Sequence, residues 1–174
     1  DKLRFLIKTV GSGLAPFDSW LILRGIKTLP IRMEKAQENA QAIVEFLLQE
    51  KKVTKVYYPG IEGTKVYEIC KKQASGFGSM LTFEVESKEL ALHILKSTKL
   101  IPFAESLGGV ETLLTYPTTQ THADVPEEVR IRNGITDRVL RLSVGIEDKA
   151  DLIADLRQAI DSYGICNIYP KGRI

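Results

Sequence analysis

The stretch Val-Leu-Arg-Leu-Ser-Val, residues 139–144, decides the fold. Leu140 and Leu142 point to one face of an extended chain, because successive side chains of a strand alternate. Arg141 and Ser143 point to the other face. We predict a strand whose leucine face lies in the core, so that the guanidinium of Arg141 projects from the opposite face. The planar fork of a guanidinium suits a carboxylate bound through two hydrogen bonds.

A second candidate site precedes this strand. Glu105 and Ser106 place a carboxylate and a hydroxyl before Leu107 and a Gly-Gly pair at 108–109. Residues without a side chain let backbone N–H groups approach a ligand closely. A Gly-Gly pair is more often only a turn, and an arginine on the polar face of a strand is more often a solvated or ion-paired surface residue. The pattern alone leaves both interpretations open.

The composition is typical of a soluble globular protein, and 174 residues are enough for one domain with a hydrophobic core. The net charge is +2, with 24 basic and 22 acidic residues interleaved. Such interleaving argues against a nucleic-acid surface, which needs clustered lysine and arginine. No apolar run approaches a membrane-spanning length, and no signal-peptide pattern opens the chain. We expect a cytoplasmic protein with no nucleic-acid partner and no membrane contact.

Cysteine and histidine are too sparse to predict a metal site. Cys70 and Cys166 stand far apart and outside any metal-binding spacing. The chain has only two histidines, His93 and His122, so a histidine-rich site is not available. We expect reduced thiols, the ordinary state of cytosolic proteins.

Hydrophobic periodicity and turn signals predict helices that alternate with strands. The predicted helices cover residues 16–27, about 31–49, 65–72, 88–97 and 126–133; the predicted strands cover 53–58, 79–85 and 139–144. Glu147 and Asp148 open a last predicted helix, where negative charge favours the helix N-terminus. This alternation predicts an α/β domain with helices packed on a small sheet. It does not decide between a parallel and an antiparallel sheet.

Seven motifs follow one another along the chain. They are Ala-Pro-Phe-Asp-Ser-Trp at 15–20, Leu-Arg-Gly-Ile-Lys-Thr-Leu at 23–29, Tyr-Pro-Gly at 58–60, Gly-Phe-Gly-Ser-Met-Leu at 76–81, Glu-Ser-Leu-Gly-Gly-Val-Glu at 105–111, Thr-His-Ala at 121–123, and Leu-Arg-Leu-Ser-Val-Gly-Ile-Glu-Asp at 140–148. In this order they resemble the C-terminal domain of the Cys/Met-metabolism family of pyridoxal-phosphate enzymes, of fold type I. The resemblance covers about residues 11–160.

The resemblance implies an architecture. It implies a small, mostly antiparallel sheet with helices packed on it, preceded by linker helices. Residues 1–30 would then be a linker segment and helix from a cofactor domain that this chain lacks, and residues 31–161 the substrate-side domain. Residues 162–174 match nothing in the family and are left unassigned. The family also implies that the whole enzyme is a homo-oligomer, a tetramer.

The resemblance further implies roles for site residues. Arg141 matches the arginine that grips the α-carboxylate of the amino-acid substrate. Ser106 and the backbone of Leu107 match groups that assist at the same carboxylate. Glu105 matches a position that differs between subgroups, and glutamate there is typical of the γ-synthase and γ-lyase branches. Thr121 matches a residue that lines the same region.

The cofactor half of such an active site is absent from the sequence. Pyridoxal phosphate needs a lysine that holds it as a Schiff base. In the family that lysine lies in a Ser/Thr-rich motif followed by Tyr and Gly-His-Ser, and no lysine here has these neighbours. We therefore expect a piece of a longer enzyme, with no catalytic residue, no bound cofactor and no activity of its own, and with the missing N-terminal cofactor domain as a partner.

The resemblance implies γ-replacement on an activated homoserine by cysteine, which gives cystathionine on the path to methionine. Within the family the chain looks most like cystathionine γ-synthases that overlap with O-acetylhomoserine thiolyases. Cystathionine γ-lyase or β-lyase activity is the alternative within the class. An alternative from another class is a non-catalytic amino-acid-binding or assembly module.

Overall fold

A computed structural model describes residues 1–164 of the chain. Cys166 therefore lies outside the described residues, and so does the predicted tail from residue 165 onward. Two compact units are present, Asp1–Arg32 and Met33–Ile174. The assignment of the first residues to a cofactor domain stays a prediction.

The first unit is helical and buries no side chain of its own. Helix α1 covers Lys2–Val10 and ends at Gly11, whose left-handed φ of 70° lets its N–H bond the carbonyl of Ile7. Helix α2 covers Pro16–Ile26, with Pro16 in the first turn as predicted, because the missing N–H is not needed there. Neither helix has a buried residue.

Helix α3 covers Leu29–Gln49 and carries the predicted apolar face. Its buried apolar residues are Ala36, Ala40, Ile43, Val44, Phe46 and Leu47. One polar residue, Asn39, is buried with them and is 0% exposed. A buried amide needs hydrogen-bond partners, so Asn39 marks a contact that the apolar pattern does not predict.

The sheet has four strands, β1 (Val53–Tyr57), β2 (Met80–Val85), β3 (Leu113–Thr115) and β4 (Val139–Ser143). Their order is β1-β2-β4-β3, and every neighbouring pair is antiparallel. The antiparallel sheet expected from the resemblance is confirmed. Strand β3 is an addition, since its three residues are all buried and show no alternation.

One face of the sheet forms the core. Leu81, Phe83 and Val85 of β2 alternate inward as predicted and are at most 2% exposed. Leu140 and Leu142 of β4 lie on the same face and are fully buried. Each such side chain contributes about 1.5–3 kcal/mol relative to an exposed one. The face that carries Arg141 is thereby fixed as the opposite one.

Four further helices complete the second unit: α4 (Lys65–Gln73), α5 (Lys88–Ser97), α6 (Glu127–Arg132) and α7 (Lys149–Asp161). The side chains of Thr64, Ser87 and Asp148 each cap a helix N-terminus by accepting a backbone N–H. The α/β architecture with helices on a small sheet is confirmed.

The described part of the chain contains neither a membrane-spanning helix nor a metal-binding cluster. Within residues 1–164, no helix combines the length and apolar character needed to cross a bilayer. The same residues contain no cluster of His, Cys, Asp and Glu side chains suited to a metal ion.

Candidate functional site

Arg141 lies near the middle of the sheet face that points away from the core. The strand register sets it opposite Thr82 of β2 on one side and Thr115 of β3 on the other. Directly opposed residues of antiparallel strands point to the same face, so these three side chains form one row. Tyr57 of β1, opposite Thr82, extends the row to the sheet edge. The predicted direction of the guanidinium is confirmed.

The guanidinium of Arg141 has an N–H donor that no described residue accepts. Arg141 Nη2 donates to Thr115 Oγ1 at 3.3 Å. Its Nε is buried and has no hydrogen-bond partner among the described residues, and none of the ion pairs found there includes it. A buried donor without an acceptor is costly, and a charged one more so. This arginine differs from an ion-paired surface residue and suits an anionic ligand.

Arg138 offers a contrast within the same segment. Its Nη2 contacts Glu84 Oε1 at 2.5 Å, a direct ion pair across the sheet. Thr136 Oγ1 contributes a longer bond of 3.4 Å to the same carboxylate oxygen. Arg138 thus already has a carboxylate partner, whereas no described residue supplies one to Arg141.

Two anchor points tie the stretch 105–107 to the Arg141 row. At one end, Thr115 Oγ1 donates to the carbonyl of Ala104 at 2.9 Å while it accepts from Arg141. At the other end, the N–H of Gly108 donates to Ser143 Oγ at 2.8 Å. Ser143 lies two residues from Arg141 and on the same face of β4. Arg141 and this loop are therefore brought together.

The predicted loop residues stand between those anchors and face solvent. Glu105, Ser106 and Leu107 are all exposed, with Leu107 at 57%. Gly108 has a φ of 77°, so the turn after Leu107 needs a residue that tolerates the left-handed region. An exposed hydroxyl, carboxylate and leucine on a tethered loop are typical of a recognition segment.

Thr121 is placed differently. It is exposed, and its hydroxyl contacts His122 Nδ1 at 2.8 Å. The turn that carries it is held by the N–H of His122 on the carbonyl of Pro117, at 2.9 Å, and by Arg130 Nη1 on that of Thr118, at 2.8 Å. No hydrogen bond in the described part links Thr121 to Arg141 or to the loop. Its role at the substrate stays a prediction.

The sequence analysis did not identify Glu147 as the residue whose side chain binds Thr112, at the C-terminal end of the loop that begins at Glu105. Glu147 was expected only to favour the N-terminus of the last helix, but Asp148 performs that capping. The carboxylate of Glu147 instead accepts from the N–H of Thr112 at 2.6 Å and from its hydroxyl at 2.8 Å. A Glu-Asp pair before a helix did not reveal this, because the partner lies 35 residues away in sequence.

Three of the described lysines, Lys52, Lys55 and Lys149, have surroundings that do not favour a Schiff base with pyridoxal phosphate. A lysine nucleophile needs a lowered pKa. Lys55, on the Arg141 face of the sheet, has its pKa raised by the side chain of Tyr57. The pKa of Lys149 is raised by its hydrogen bond to Glu38. The ammonium of Lys52 is bonded to the carbonyls of Ile160 and Tyr163, at 2.9 and 3.2 Å.

Fold and site together define a class: an α/β domain with an arginine on the open face of an antiparallel sheet and an exposed loop bonded to the same strand. Among the described residues this arginine has no carboxylate partner. The family model described as Cys/Met metabolism PLP-dependent enzyme matches residues 1–161. The chain belongs to this family, as its motifs predict. The family depends on pyridoxal phosphate, which agrees with the cofactor expected for a whole enzyme.

Relatives with three different activities are similar to the chain. Cystathionine γ-lyase of Dictyostelium discoideum is 50% identical over 161 residues, which are 92% of this chain and 42% of that protein. Cystathionine γ-synthase of Haemophilus influenzae is 48% identical over 159 residues, 91% of this chain and 39% of that protein. Cystathionine β-lyase of Lactococcus lactis subsp. cremoris is 46% identical, with 92% and 42% covered. The chain thus spans about two-fifths of the length of these relatives.

Solved structures of the same family have a similar fold. Cystathionine γ-lyase from Lactobacillus plantarum, complexed with L-serine, superposes with a TM-score of 0.85 at 41% identity, covering 91% of this chain and 42% of that one. Cystathionine γ-synthase from Xanthomonas oryzae pv. oryzae, in complex with cystathionine, gives 0.83 at 41% identity, with 88% and 40% covered. The α/β fold expected from the resemblance is therefore confirmed.

Proposed function

We propose that this chain supplies the substrate-recognition part of a pyridoxal-phosphate enzyme that resembles cystathionine γ-synthase. The whole enzyme would replace the γ-substituent of an activated homoserine with cysteine to form cystathionine. Family membership supports the class of chemistry. The Xanthomonas γ-synthase structure, which holds cystathionine, supports amino-acid substrates of this kind.

The observation that carries the proposal is the guanidinium of Arg141, which has no carboxylate partner among the described residues. Its buried Nε has no partner among the described residues, and Thr115 holds one Nη. The bond to Thr115 therefore restrains one side of the guanidinium and leaves other donors for the α-carboxylate of an amino acid. A hydrogen bond to a charged group contributes about 1.5–3 kcal/mol, so a bidentate contact dominates substrate binding.

The loop residues complete the proposed recognition. Ser106 and the backbone N–H of Leu107 would donate to the same carboxylate, since their loop is tied at both ends to the Arg141 row. Glu105 would attract the distal amino group of the substrate, because an exposed carboxylate favours a nearby cation. Thr121 would line the pocket from the neighbouring turn. All of these side chains bind and orient substrate, and none transfers a proton.

Pyridoxal phosphate would be held by parts of the enzyme other than this chain, since no lysine of the sequence has the neighbours of the family's Schiff-base lysine. When bound, the cofactor supplies an electron sink for carbanion chemistry. The 174-residue chain alone is accordingly proposed to be inactive. Residues 1–30 are proposed to contact that cofactor domain, within a cytoplasmic homo-tetramer. The exposed apolar side chains of α2 support a covered surface, among them Trp20 at 52% and Leu23 at 64%.

The choice between synthesis and cleavage is testable on the whole enzyme. Identity does not decide it, because the γ-lyase, γ-synthase and β-lyase relatives share 50%, 48% and 46% with the chain. We expect faster turnover of an activated homoserine plus cysteine than of cystathionine. The reverse preference would establish a lyase. Binding of amino acids without turnover of either substrate would favour the non-catalytic module.

A further inference from the structure

We propose that Glu147 is a positioning residue for substrate recognition. Its carboxylate holds the far end of the recognition loop, defined here as residues 104–112, against the segment that follows β4. The loop is then fixed relative to Arg141 before substrate arrives. This inference rests on the proposed function, because it assumes that the loop meets the substrate carboxylate.

The contact between Glu147 and Thr112 uses both carboxylate oxygens. Oε1 accepts the backbone N–H of Thr112 at 2.6 Å, and Oε2 accepts its hydroxyl at 2.8 Å. That hydroxyl also accepts the N–H of Gly145 at 2.9 Å. Thr112 is 0% exposed, so water cannot replace the carboxylate without rearrangement. Removal of Glu147 would leave the backbone N–H and the hydroxyl hydrogen of Thr112 buried without an acceptor, which is costly.

The backbone around Glu147 is itself held rigidly. Asn39 Nδ2 donates to the carbonyl of Gly145 at 3.0 Å and to that of Glu147 at 2.8 Å. The N–H of Ile146 donates to the carbonyl of Val110 at 2.8 Å. The buried amide on α3 thereby fixes the segment after β4, and the Glu147 side chain transmits that fixed position to the loop.

A second hydrogen bond holds the recognition loop at Gly108. Its N–H donates to Ser143 Oγ at 2.8 Å, and Ser143 shares the outer face of β4 with Arg141. The loop is thus held at Gly108 by the strand of the arginine and at Thr112 by Glu147. Residues 105–111 are exposed. Their position therefore depends on the hydrogen bonds at Gly108 and Thr112. Positioning of this kind lowers the cost of binding, because less freedom is lost when the ligand arrives.

The test compares Glu147→Ala with a matched carboxylate elsewhere. Asp155, on α7, accepts the backbone N–H groups of Leu100 and Ile101, each at 2.9 Å, and that of Lys99. It is a buried carboxylate that binds backbone amides but lies outside the recognition loop. Asp155→Asn therefore reproduces the loss of a structural carboxylate without a change at the loop. Glu147→Gln keeps an acceptor for the Thr112 N–H and serves as the milder variant if the alanine variant folds poorly.

Two readouts on the whole enzyme separate positioning from stability. For Glu147→Ala we expect faster hydrogen exchange in peptides covering residues 107–112, with exchange at 99–101 unchanged; Asp155→Asn should give the converse. In steady-state kinetics Glu147→Ala should raise KM for the amino-acid substrate by about tenfold with kcat changed less than about threefold, the signature of lost uniform binding. Glu147→Gln should restore most of the KM, and Asp155→Asn should leave it unchanged.

Either of two outcomes would overturn the inference: unchanged exchange at 107–112 in Glu147→Ala, or accelerated exchange there with KM unaltered. Failure of the proposed function looks different. In that case the wild-type enzyme turns over neither activated homoserine nor cystathionine, and the predicted KM effect, and with it this inference, falls. Hydrogen exchange at residues 107–112 would still show whether Glu147 holds the loop, independently of any turnover.

Discussion

Gly145→Ala should destabilise the second unit strongly, because the backbone leaves no room for a methyl group. A Cβ at this position would overlap the carbonyl oxygen of Val110 and lie 2.6 Å from the carbonyl carbon of Glu111. Both atoms belong to backbone, so neither can turn away as a side chain would. To relieve the overlap, the chain must separate and lose the Gly145–Thr112 and Ile146–Val110 hydrogen bonds.

The expected magnitude follows from those losses. Overpacking costs about 1–3 kcal/mol, and each buried polar group left unsatisfied adds about 1–3 kcal/mol. With the buried N–H of Gly145 as the group left unsatisfied, the total is about 2–6 kcal/mol, a fall in Tm of about 4–24 °C for a chain of this size. Thermal unfolding followed by circular dichroism measures it.

Gly109→Ala is the matched control from the same loop. A Cβ there would meet the carboxylate end of the Glu111 side chain, which can rotate aside. Its Tm should change by less than about 3 °C, as for substitutions without a named cost. If Gly145→Ala and Gly109→Ala have the same Tm, the close contact between the loop and the segment after β4 is not rigid, and the reasoning is refuted.

Three more predictions concern the core, a tyrosine and the first unit. Leu140→Ala should lower the free energy of unfolding by about 2–5 kcal/mol in urea titration, because a fully buried side chain is removed; a change under about 1 kcal/mol would argue against this core. Burial raises the pKa of Tyr58 to about 12. Unfolded tyrosine ionises near pH 10, so stability should fall between about pH 10 and 12 in the wild type and less in Tyr58→Phe; equal slopes would contradict this. The isolated chain should self-associate through exposed Trp20, Leu21 and Leu23, which a monomer in light scattering would disprove.

Local patterns in the sequence predicted most of the elements for physical reasons that act over a few residues. Leu81 and Phe83 alternate with polar neighbours, which is enough to specify a half-buried strand. Ser87 precedes an amphipathic segment, and its hydroxyl accepts the N–H of Leu90 at 3.1 Å, as an N-cap does. The direction of Arg141 follows from the same alternation.

What the sequence did not predict depends on distant partners. Leu113–Thr115 forms a strand with every residue buried, so it has no alternation to read. The antiparallel order came from resemblance, since hydrophobic periodicity carries no information on strand direction. Glu147 and Asn39 look like ordinary helix residues until the fold brings them to Thr112 and Gly145.

The central claim is that Arg141 binds the substrate α-carboxylate, and one comparison tests it most directly. Wild-type enzyme, Arg141→Ala and Arg138→Ala would be assayed for kcat/KM with the amino-acid substrate and with its α-carboxamide. Loss of two charge-assisted bonds of about 1.5–3 kcal/mol each predicts a fall of about 100-fold or more for Arg141→Ala with the carboxylate substrate. Arg138, paired with Glu84, is the control and should change the rate little. The account predicts that Arg141→Ala hardly affects the carboxamide; an equal loss on both substrates would contradict it.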